Sequence, residues 1–121
     1  MHIVMVSGEY PPRWGGMGSV VYHLAGHMAQ RGHKVTVITR KHKQMPPTQT
    51  GVEVIPVRWT PLPMSFTKSF GKHAIKALNQ LKRRRSIDVV SVHLPLVSWT
   101  RKQFRYIEQN IAPVVSTLHG S

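Results

Sequence analysis

The chain has 121 residues, 40% of them hydrophobic, no cysteine, and seventeen Lys and Arg against four acids for a formal net charge of +13. That length holds one domain at most, with a core burying roughly two-thirds of the unfolded surface, and the longest apolar runs fall far short of the ~20 residues a transmembrane helix needs. Lack of Cys excludes disulfides, thiol redox chemistry and thiolate metal sites among these residues, while the charge draws anionic partners: nucleic acid, anionic lipid or phosphorylated substrates.

The elements read in order as alternating strands and helices. Ile3–Ser7 is a short apolar run suited to a strand buried on both faces. A loop rich in Pro and Gly follows, and a helix opens near Gly18, with Met17, Val20, Val21, Leu24, Ala25 and Met28 recurring at helical spacing to Arg31. Gly32 supplies its left-handed stop. Val35–Thr39 is a β-branched second strand. Pro46 and Pro47 keep the polar segment 40–51 irregular, and Val52–Val57 is a third strand that Pro56 places at a sheet edge. After a Pro-containing loop, Lys68 to about Arg85 is helical, with Phe70, Ala74, Ile75, Leu78 and Leu81 on one side. Asp88–His93 is the fourth strand, Ser98 to about Asn110 a helix capped by Ser98, and Pro113–Leu118 the fifth strand.

This alternation predicts an α/β domain with a mostly parallel open sheet flanked by helices. Right-handed crossovers give the strand order 3-2-1-4-5. The carboxyl ends of strands one, four and five then lie side by side. Open α/β sheets bind ligands at that edge, and here it gathers the glycine loop, Ser7, His93 and His119. A strand, a glycine loop and a helix amino terminus together make a seat for a phosphate or another anion. A second strand follows the first too closely for a secretory leader, so the expected location is cytoplasmic.

Two familiar nucleotide motifs do not fit. Gly16-Met17-Gly18-Ser19-Val20-Val21 begins like a dinucleotide fingerprint but has Val21 in place of the third glycine, in a loop too long for that turn. Arg40 and Lys41 stand where an acid should hold a ribose, and no Gly-Lys-Ser/Thr makes a P-loop. His23 and His27, four apart on a helix, lack a third ligand, and no metal is expected.

Four stretches in register resemble a known family. Glu9-Tyr10-Pro11-Pro12 through Gly15-Gly16-Met17-Gly18, Gly32-His33 with the strand after it, Asp88 to Pro95, and Pro113 to Gly120 are similar to the amino-terminal half of GT-B glycosyltransferases, in the family-4 retaining group that includes glycogen-synthase-like enzymes. The resemblance implies a Rossmann-like domain, residues 1–121, that is incomplete and lacks a carboxyl-terminal nucleotide-binding domain. It implies a nucleotide-sugar donor (a UDP-, GDP- or ADP-sugar), a hydroxyl acceptor and no further cofactor. By position it places Gly15 and Gly16 against the donor diphosphate and the acceptor, and His119 against the transferred sugar as the catalytic candidate. Arg13 is placed to touch phosphate or to stand solvated. Glu9 is an acceptor contact or a loop anchor, His93 a ligand contact or a strand end, and Trp14 a packed lid or a stacking surface for the acceptor.

The helix from Lys68 is the second signal. Lys68, Lys72, Lys76, Lys82, Arg83, Arg84 and Arg85 fall in it with no acid between them, opposite an apolar face. Basic amphipathic helices associate with anionic membranes, so Lys72, Lys76, Lys82, Arg83, Arg84 and Arg85 form a candidate membrane surface on the inner face of the membrane. The alternative is a surface helix packed on the sheet. The expected function is a domain of a hexosyltransferase that needs its second domain or a partner chain to act. Competing readings are a non-catalytic membrane-anchoring subunit of a split transferase, and a basic nucleic-acid-binding protein, for which no motif is present.

Overall fold

A computed structural model of the chain describes residues 1–7, 15–41, 49–58, 66–93 and 101–117. The elements are β1 (His2–Ser7), α1 (Gly15–Gln30), β2 (Lys34–Arg40), β3 (Val52–Val57), α2 (Phe66–Arg84), β4 (Val89–His93), α3 (Arg101–Asn110) and β5 (Val114–Thr117). They form a Rossmann-like layered α/β fold around one five-stranded sheet in the order β3-β2-β1-β4-β5, with every pairing parallel. This is the order that right-handed crossovers require of these alternating elements.

The sheet separates two cores. On one side Phe70, Ala74, Ala77, Leu78 and Leu81 of α2, with Ile107 of α3, cover Val4, Val6, Ile38, Val90 and Val92. On the other, Val21 and Ala25 of α1 cover Ile3, Met5, Val35 and Val37. All six residues of β1 are buried, as befits the central strand. Pro56, which has no amide hydrogen for the ladder, sits on edge strand β3. Gly32 ends α1 at φ +94°, a conformation that side chains strain.

Two readings of the sequence are corrected. α1 begins at Gly15 and not near Gly18, so Gly15 and Gly16 lie in its first turn. First-turn amides make no intrahelical bond, so glycines there forfeit little, and burial of Val21 and Ala25 anchors the helix. The helical periodicity also overstated the buried stripe of α1. Val20 and Leu24 are 46% and 38% exposed. The amide of Gln49, just before β3, donates to the Tyr22 carbonyl at 2.9 Å, which turns the Tyr22 flank of α1 towards β3. Val20 and Leu24, on the opposite flank, face the β4 side. Val115 on β5 is 54% exposed, and its neighbour Val114 packs on the α2 side. At Val115 of β5, therefore, the α1 side of the sheet is uncovered among the described residues, while Val89 of β4 still packs on the α1-side core.

Candidate functional site

Parallel β1 and β2 require α1 to carry the chain back from the carboxyl edge of the sheet to its amino edge. The amino terminus of α1 therefore stands at the carboxyl edge. Its first four amides lack intrahelical partners, and the helix dipole adds about half a positive charge there. No acidic residue occupies the first turn to neutralise it. Gly15, Gly16 and Gly18 add no side chain to this turn, and helix termini of this kind suit anions.

The strand register brings the other expected positions to the same edge. Ser7, the last residue of β1, is directly opposite His93, the last of β4. His93 in turn is opposite Thr117, the last of β5. Ser7 is almost completely buried. Thr39 lies near the end of β2 and is also buried, yet its Oγ1 has no hydrogen-bond partner among the described residues. The sequence reading missed Thr39. A Thr in a β-branched strand carries no signal, and only the closed fold shows its hydroxyl stranded.

Of the expected site residues, Gly15, Gly16 and His93 are brought to this edge. Glu9, Arg13, Trp14 and His119 lie outside the described residues. His23 and His27 are exposed on α1, and among the described residues no three His, Asp or Glu side chains cluster to hold a metal.

The basic helix resolves more sharply. Lys72, Lys76, Lys82, Arg83 and Arg84 of α2 and Arg85 just beyond it are all exposed. Its apolar face, however, is spent on the sheet, with Phe70, Ala74 and Leu78 wholly buried, so it cannot insert among lipid tails. Two of the cations are also engaged within the chain. The Lys82 ammonium donates to the Asn110 carbonyl, and Arg84 meets Glu53 at 3.4 Å. Lys72, Lys76 and Arg83, at spacings of four and seven, form one outward line. Among the described residues no helix is long and apolar enough to cross a membrane.

A parallel open sheet in this order with helices on both faces is a Rossmann-like α/β domain, a layout in which ligands generally bind at the carboxyl edge. The chain belongs to Glycosyltransferase Family 4, whose model matches residues 14–121. It is 32% identical to glycogen synthase of Mycobacterium tuberculosis, an alignment covering 100% of this chain and 34% of that protein. It is 28% identical to one subunit of the phosphatidylinositol N-acetylglucosaminyltransferase of Arabidopsis thaliana, over 77% of this chain and 22% of that one. The fold matches the catalytic domain of starch synthase IV from Arabidopsis thaliana with a TM-score of 0.70 at 18% identity, over 99% of this chain and 34% of the other. The chain thus spans about a third or less of the length of the relatives it matches.

Proposed function

We propose that these residues form the acceptor-side domain of a retaining hexosyltransferase, one wall of a cleft whose nucleotide-holding wall lies on a second domain or a partner chain. The observation that carries this reading is the acid-free amino terminus of α1 standing beside the Ser7–His93–Thr117 row. In the transfer, the bond from the sugar C1 to the donor phosphate oxygen breaks. A bond from C1 to the acceptor hydroxyl oxygen forms, and the hydroxyl proton leaves with the nucleoside diphosphate. Backbone amides of the α1 terminus stabilise the charge gathering on that diphosphate, with Arg13 beside it. His119 donates a hydrogen bond to a sugar hydroxyl or phosphate, and Glu9 and His93 meet the acceptor. The similar starch synthase domain was solved bound to ADP and acarbose, which favours a nucleoside diphosphate leaving group here, from an ADP-, UDP- or GDP-sugar.

The line Lys72, Lys76 and Arg83 favours a second reading, in which the domain also holds its enzyme against an anionic membrane by charge alone. The similarity to part of a phosphatidylinositol-modifying transferase supports a lipid acceptor and partner chains in that case. One assay tests both readings. The complete open reading frame is expressed and nucleoside diphosphate release is followed from each donor, with glucan and with phosphatidylinositol vesicles as acceptors. Turnover with one pairing, reduced about a hundredfold or more in His119→Ala, is the expected result. No turnover with any pairing, with or without a separate chain added, would overturn the transferase reading, and turnover unchanged in His119→Ala would leave only an anchoring or partner role.

A further inference from the structure

We propose that the amino edge of the sheet, opposite the edge that carries the α1 terminus, holds a second anion site that takes the phosphate monoester of a small polyol. A cavity of about 250 Å³ opens there, and its charged wall is Lys34, Arg84, Arg85 and Glu53. That is room for roughly eight waters, more than inorganic phosphate fills and close to the smallest ligand pockets.

The charge balance favours an anion. Glu53 is the one acid in the wall, and it is already paired with Arg84. Asp88 accepts the His2 amide at 2.6 Å and keeps its charge beside the floor, so the three cations exceed Glu53 and Asp88 by one. Lys34 and Arg85 have no carboxylate partner among the described residues. The carboxyl end of α2 adds about half a negative charge, which leaves the balance positive. An incoming phosphate would give Lys34 and Arg85 charge-assisted hydrogen bonds.

The floor is built and polar. His2 is only 5% exposed. Its Nδ1 lies 3.0 Å from the Ser86 carbonyl, which can only accept, so Nδ1 carries the proton in the neutral ring. Nε2, 2.9 Å from Thr36 Oγ1, then accepts from that hydroxyl. Thr36 is itself completely buried, so this pair fixes the His2 ring beneath the cavity. The second carboxylate oxygen of Glu53, outside its ion pair with Arg84, is an acceptor for a ligand hydroxyl, while the cations hold the phosphate. This arrangement selects a hydroxylated phosphate over a bare one.

Amide NMR titrations of the full chain test the proposal, with inorganic phosphate, glycerol 3-phosphate and nanodiscs containing phosphatidic acid. Saturable shifts at His2, Lys34, Thr36 and Arg85 are expected with glycerol 3-phosphate in the millimolar range, and weaker ones with inorganic phosphate. Lys34→Ala with Arg85→Ala should weaken binding about tenfold or more, and Arg105→Ala on α3 should leave it unchanged. Shifts that saturate only with the nanodiscs, and vanish in the double variant, would assign the same pocket to a lipid headgroup. The proposal is overturned by no saturation at roughly 10 mM of either soluble probe and none with nanodiscs. Equal weakening by Arg105→Ala would also overturn it, because the response would then be general screening.

Discussion

The side-chain amide of Gln49 donates to the backbone carbonyl of Tyr22 at 2.9 Å and so ties the segment before β3 to the middle of α1. The tie depends on Gly26, where an added Cβ would collide with Gln49 Oε1. In Gly26→Ala the Gln49 side chain swings away and its hydrogen bond is lost, costing about 1 kcal/mol. The helix gains about the same from replacing glycine with alanine. Thermal unfolding should show Gly26→Ala close to wild type and Gln49→Ala lower by about 1 kcal/mol. In the Gly26→Ala background, Gln49→Ala should add nothing, a coupling that the double-mutant cycle reads directly.

Gly32 presents the opposite case. Nothing lies within 4 Å of the position a methyl would take there, so a side chain would meet open space. Its φ of +94° alone makes substitution costly. Gly32→Ala should lose about 1–2 kcal/mol, from backbone strain and without any packing change. Urea unfolding should accordingly show a lower midpoint at an unchanged m-value.

Thr39 keeps a hydroxyl buried and without a partner among the described residues. Thr39→Val retains the branched shape and removes the stranded group, so it should stabilise the chain by about 1 kcal/mol. Calorimetry should place Tm roughly 4 °C higher.

The buried apolar face of α2 sets the character of any membrane contact. Association with vesicles rich in phosphatidylglycerol should be reversed by salt, since only exposed charge is available. Lys72→Ala, Lys76→Ala and Arg83→Ala combined should weaken it by about a hundredfold, at about 1 kcal/mol for each cation. Flotation assays at two ionic strengths would measure both effects. Binding that persists in high salt would mean that apolar surface inserts.

Much of the architecture was legible because local signals and topology rules agreed. β-branched runs marked Val35–Thr39 and Val52–Val57, Pro56 marked the edge, and crossover handedness ordered the sheet as it stands. The start of α1 was not legible, because glycines in a first turn look like loop. Nor was the orientation of α1 about its own axis, since Gln49, distant in sequence, decides which flank Val20 and Leu24 occupy. At the carboxyl edge, Gly15, Gly16 and His93 were readable because each follows or ends a strand. The opposite pocket was not, because His2, Lys34, Glu53 and Arg85 meet only after three strands and a helix have closed around them.

The central position of β1 has a consequence for synthesis. His2 and the Asp88 carboxylate that holds its amide are 86 residues apart, and β4 completes the ladder on that side. At about 5–20 residues per second, the ribosome must run for several seconds after making the most buried strand before its second neighbour exists. During that interval Ile3, Val4, Met5 and Val6 are a sticky nascent segment, and protection by a chaperone at the exit tunnel matters most for them. The heart of this sheet is made early and finished late.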